Sequence, residues 1–151
     1  MALWDQLKSK SHTLAEQLQT KKDQFRSKEF AEASMAMCAL IAAADGSVDA
    51  TERQRTASLI TANDTLAIFP PDELRQKFDA YCDKLVRDFE FGKVEAIAAI
   101  SKLRSKPEQA RGVISIGIII GRADGDFDAD ERKAVVDACY AVGIAPAEFD
   151  L

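Results

Sequence analysis

Two ten-residue stretches, ADGSVDATER at 44–53 and ADGDFDADER at 123–132, share seven of ten letters at a separation of seventy-nine positions. Each places carboxylates at the same steps around an Asp-Gly pair: Asp45, Asp49 and Glu52 in one copy, Asp124, Asp128 and Glu131 in the other. Crowded carboxylates offer hard oxygen ligands, the donor set of Ca²⁺ or a similar divalent ion. The back half of an EF-hand loop fits both copies, with Gly at its sixth position and Glu at its twelfth. The front half does not, because the first and third ligand positions fall on Ile41 and Ala43, or on Ile120 and Arg122. One such loop cannot supply the six to eight oxygens that Ca²⁺ takes, so an EF-hand is excluded.

Much of the pattern is also what a tight helix–helix turn requires. A glycine in the left-handed conformation ends one helix, Asp49 or Asp128 caps the next, and Glu52 or Glu131 closes a capping box three residues on. Asp45 and Asp124 are left over. At a helix C-terminus the macrodipole opposes a negative charge by about 0.3 kcal/mol or more. Asp126 and Asp130 bring the second copy to five acids between 124 and 131, a crowding that a bound cation or a basic partner surface would relieve. Ser47 and Thr51 replace two of those acids in the first copy, so the copies are not equivalent ligand sets.

Other chemistries find little support. The chain has no Gly-rich phosphate loop, GxSxG or HExxH, and its one histidine, His12, has no second ligand type nearby. Paired carboxylates alone provide no nucleophile, so an enzyme is not expected. Residues 1–30 hold six Lys/Arg against four Asp/Glu, about +2, which leaves about −7 for the rest of a chain whose net charge is −5. An acidic body argues against nucleic acid, whose phosphates need a basic face. Cys38, Cys82 and Cys139 sit among apolar residues with no CxxC pair, and read as buried free thiols.

The elements that must position the two acidic stretches read as helices throughout. Trp4, Leu7, Leu14 and Leu18 mark one face of a basic amphipathic arm over residues 1–28, a candidate for peripheral membrane contact. Residues 29–45 are rich in Ala, Met and Leu and predict a helix, and 51–63 another. A third begins at Pro70-Pro71 and runs through Phe78, Cys82 and Leu85. Phe89, Phe91 and Gly92 suggest a short turn before a helix over 93–104. The GVISIGIIIG run at 112–121 is β-branched enough for a buried strand. It is read as helix because it aligns, seventy-nine residues on, with the helical ASMAMCALIA. Gly117 and Gly121 then match Cys38 and Ala42, small residues on one face that would let two helices cross closely near a pseudo-twofold axis. A last helix is expected over 130–142, ended by Gly143, with a final turn from Pro146. The expected fold is all-α: about seven helices in two pseudo-symmetric helix–turn–helix halves. The arm precedes a single helical domain at 29–151 with duplicated segments at about 29–65 and 107–145. No secretory signal or membrane-length apolar run is evident, which points to a cytoplasmic protein.

The KEFAEASMAMCALIAAADGSVDATER segment, the DFEFGKVEAI turn and the closing GRADGDFDADERKAVVDACYAVGIAPAEFDL together resemble the tellurite-resistance protein TerB family, over nearly the whole chain. The resemblance implies a cytoplasmic, all-helical, internally duplicated TerB-like bundle. It implies a non-enzymatic role in bacterial tellurite resistance and stress response, linked to phage and colicin resistance. Partners would be a TerC-like membrane protein at the inner membrane and TerD-like Ca²⁺-binding proteins. It also implies a divalent metal at the acids after the two helix ends: Asp45, Asp49 and Glu52, with Asp124, Asp128 and Glu131. The alternatives are a metal-independent protein-interaction domain, or tellurite handling through thiols, which would need exposed cysteines of low pKa.

Overall fold

The computed structural model describes residues 26–125 and 127–151. The arm up to residue 25, including His12, lies outside the described residues, as does Asp126. Six α-helices follow in chain order: α1 (Lys28–Ala42), α2 (Ala50–Ala62), α3 (Pro71–Arg87), α4 (Phe89–Ser101), α5 (Pro107–Ala123) and α6 (Ala129–Val142). Short 3₁₀ turns occupy Leu66–Ile68 and Pro146–Phe149, and the described residues form no strand.

Helix α1 is the axis of the bundle. Ser27 caps it by accepting a hydrogen bond from the Phe30 amide at 3.0 Å. Every residue from Ala33 to Leu40 is at most 2% exposed, and α1 packs on all five other helices. From Ala33 to Leu40 no face meets water, and an alanine- and methionine-rich stretch is what such a position demands. Helix α5 lies across it. The β-branched Val113 to Ile118 run is fully helical and buried, because burial on every side outweighs the modest preference of isoleucine for strands. A Cβ on Gly117 would sit 2.8 Å from Met37 Cγ, so the missing side chain is what admits Met37 of α1. Phe30 and Phe78 are also fully buried, each contributing about 1.5–3 kcal/mol of apolar burial.

Two expectations from the sequence are corrected. Phe89, Phe91 and Gly92 are not a turn but the first turn of α4. The chain reverses at Asp88 alone, which ends α3 and caps α4 by accepting from the Phe91 amide at 3.2 Å. Gly92 is there because α3 and α4 touch backbone to backbone: a Cβ on it would lie 2.8 Å from Leu85 Cα and N. Helix α1 also stops earlier than 45. It ends at Ala42, and Ala43 to Asp45 form a turn, so Asp45 stands beyond the helix end, whereas Asp124 is the C-cap of α5 itself. Among the described residues no helix is long and apolar enough to cross a membrane.

Candidate functional site

The two acidic loops are built alike. Gly46 and Gly125 have φ of 94° and 130°, values that side chains resist, and each lets the chain turn out of one helix toward the next. Asp49 Oδ1 then accepts from the Glu52 amide at 2.7 Å, and Asp128 Oδ1 from the Glu131 amide at 2.8 Å. These are the capping bonds the sequence predicts, and they occupy one oxygen of each cap residue.

Beyond the caps the halves diverge. Asp45 is exposed, and its Oδ1 accepts from the Ser47 amide at 3.1 Å and from Ser47 Oγ at 3.3 Å. Asp124 is more enclosed, its side chain 22% exposed. Its Oδ1 is buried and receives no hydrogen bond among the described residues. Glu131 is drawn inward as well. Its Oε2 lies 3.1 Å from where a Cβ on Gly121 would project, with the Phe127 ring at 2.8 Å on the same spot. Gly121 therefore makes room for a carboxylate and an aromatic edge rather than for a helix crossing, unlike Gly117. Burial pushes the Glu131 carboxyl up to about 7, reinforced by the charges of Asp128 and Asp124 and resisted by a hydrogen bond from the Asp128 backbone.

The loops also meet each other. Glu52 is raised first by burial, then by Asp49 and Asp45 of its own half, and also by Asp124 of the other half. Arg55, one turn further along α2, brings its Nη1 to 3.6 Å from Asp124 Oδ1. Asp124 is thus the shared member of two acidic groups, Asp45–Asp49–Glu52 and Asp128–Glu131. Asp45 and Asp124, seventy-nine residues apart, both act on Glu52. The field is offset in part by the Arg55 guanidinium at Asp124. Asp137 shows the contrast: burial works against its ionisation, yet Lys93 Nζ at 2.7 Å and Lys133 Nζ at 3.1 Å hold its pKa below the usual carboxylate range.

Among the described residues, no three His, Cys, Asp or Glu side chains converge closely enough to form a ready-made metal cage. The donors are nevertheless of the right kind for a hard divalent ion, being all carboxylate oxygen. Asp124 Oδ1 is an acceptor enclosed without a donor, the condition a cation would satisfy. The cysteines take no part: all three are buried as free thiols, and burial raises Cys82 to about 12 and Cys139 to about 11.

Two residues of this region are missed by sequence reasoning. Arg55 looks like an ordinary exposed helix residue, and the sole signal is that its repeat equivalent is the buried Ala134. The role of Gly121 as a cradle for Glu131 has a faint signal, since Ala42 stands in its place in the first half.

The family model described as "Tellurite resistance protein TerB" matches residues 31–151. A curated relative, the tellurium resistance protein TerB of Alcaligenes sp., is 27% identical over 118 residues, a match covering 78% of this chain and 97% of that protein. No solved structure matches. With its duplicated helix–loop–helix halves and a family match that runs from within α1 to the last residue, the chain belongs to the TerB family of tellurite-resistance proteins.

Proposed function

We propose that this protein is a non-enzymatic tellurite-resistance and stress-response module that binds a divalent cation, Ca²⁺ or similar, through its two acidic loops. The ligands would come from Asp45, Asp49 and Glu52 and from Asp124, Asp128 and Glu131, with Asp124 common to both groups. The observation that carries the reading is Asp124 Oδ1: buried, without a hydrogen-bond donor among the described residues, on a carboxylate whose charge acts on Glu52 of one half and Glu131 of the other. A buried anionic oxygen left in that state is costly, and a cation removes the cost. The ion would supply charge neutralisation and would tie the halves together.

A second reading, a basic protein surface in place of the ion, is favoured by the exposure of Asp45, Asp49, Asp128 and Asp130. In either reading the module would act in a complex at the inner membrane. Its partners would be TerC-like and TerD-like proteins, and the 1–28 arm would contribute basic charge at the membrane surface.

Calorimetric titration of the full chain with Ca²⁺, Mg²⁺, Mn²⁺ and Zn²⁺ tests the first reading. Saturable binding by at least one ion, weakened tenfold or more by Asp124→Asn, is expected. No heat from any of the four at millimolar concentration would sink cation binding. A partner retained in the presence of chelator but lost on Asp128→Asn plus Asp130→Asn would then favour the basic-surface reading.

A further inference from the structure

We propose that the N-terminal arm docks back on its own domain, seating Leu14 and Leu18 in an apolar cleft between α2 and α3. The inference is independent of the cation reading, since none of the six candidate ligands lines this cleft.

The cleft measures about 330 Å³ with its open mouth. Its walls are Ile60 of α2, Leu66 and Phe69 of the turn that joins the two helices, and Leu74 and Phe78 of α3. Arg75, the charged residue of the lining, is engaged elsewhere, its Nε 2.9 Å from Asp79 Oδ2. The cleft therefore presents hydrocarbon to whatever enters it. Helix α2 has the most to gain from such a guest. It buries just Thr56, Ala57 and Ile60 out of thirteen residues, the fewest of the six helices. Most helical stability comes from packing an apolar face, and α2 has little of it.

The place where the arm joins the domain identifies the guest. Ser27 has an extended backbone, φ −85° and ψ 151°, so the chain turns off the axis of α1 there instead of prolonging it. Phe30, three residues on, stacks on Phe69 with ring centroids 6.4 Å apart. The arm thus departs within one helical turn of a residue that touches the cleft wall. Leu14 and Leu18 are spaced to share one face of a helix. They stand about 20 and 14 Å of helix from Ser27, long enough to lie along a cleft that begins beside Phe30. Charge agrees with this placement. Asp64, Asp72 and Glu73 are exposed and adjoin lining residues in the sequence. Lys10 falls one turn before Leu14, and Lys21 and Lys22 fall one turn after Leu18. Such exposed pairs add little energy, but they set the orientation in which the leucines enter.

The test uses the full chain with Gln19→Cys, labelled with a nitroxide. Because the native cysteines are buried, the label goes to the introduced thiol. Nitrogen–proton spectra with the label oxidised and reduced then locate the arm. We expect the amides of Thr61, Leu66 and Ala67 to broaden in excess of the rest of the domain. Leu14→Asp plus Leu18→Asp should lower the ratio of docked to free arm about tenfold or more and remove the excess. Ala67→Arg, at an exposed position on the rim, should do the same from the other side without disturbing the remaining resonances. Broadening spread evenly over the domain, or centred on the exposed Phe91 and Val94 of α4, overturns docking in this cleft. An excess that survives both variants overturns it too. The same excess in nitrogen-15 wild type mixed with spin-labelled chain places the arm on a second copy and overturns the intramolecular claim.

Discussion

Replacing Glu131 with glutamine should stabilise the protein above neutral pH and leave it unchanged in acid. The folded state holds this carboxyl at about 7, against an ordinary value of 4.5, because burial beside Gly121 and Phe127 and the charges of Asp128 and Asp124 disfavour ionisation. Between those two values the folded chain binds the proton more strongly than the unfolded chain. The contribution of Glu131 to stability is therefore most favourable below about pH 4.5, declines as pH rises toward 7, and carries the full penalty above 7. The shift corresponds to about 3 kcal/mol at face value, and partial solvent exposure of the side chain reduces this to about 1–2 kcal/mol. Glutamine removes the charge while keeping the shape and the ability to accept from the Asp128 backbone. In a chain of this size a gain of that order raises Tm by about 2–8 °C. Thermal unfolding followed by circular dichroism at pH 4, 6 and 8, without divalent ions, measures it. A mutant less stable than wild type at pH 8, or a difference that is the same at all three pH values, would refute the electrostatic account of Glu131. If a cation binds these carboxylates, saturating Ca²⁺ at pH 8 should stabilise wild type more than the mutant and so narrow the gap.

Two glycines should respond differently to the same substitution. Gly92→Ala drives a methyl into the Leu85 backbone at 2.8 Å and should cost about 1–3 kcal/mol in chemical denaturation. Gly117→Ala meets Met37 Cγ at 2.8 Å, a side-chain and not a backbone atom, and should cost less than Gly92→Ala because Met37 can shift and alanine has the better helix propensity. Cys38, Cys82 and Cys139 are buried, and thiolate formation is suppressed by burial in each. A thiol reagent at pH 8 should therefore label none of them in the native state and all of them in denaturant, whereas rapid native labelling would reopen a thiol role.

What could be read in the chain without a structure was local. The caps at Asp49 and Asp128, the glycines at 46 and 125 and the stop at Gly143 each depend on bonds spanning three or four residues, so the letters themselves carry the geometry. The β-branched stretch before Gly121 is ambiguous by propensity, and it was legible as helix because the chain contains a second, plainly helical copy of it. The candidate acids were legible for the same reason. The tertiary structure decided how those acids differ. Asp45 satisfies its oxygen on Ser47 two residues away, while Asp124 is enclosed against Arg55, sixty-nine positions distant in sequence. Glu131 owes its raised pKa to a space left by Gly121 on another helix. For Asp124 and Glu131 the physics is desolvation and contact with side chains on other helices, and neither leaves a mark in the local pattern of residue types.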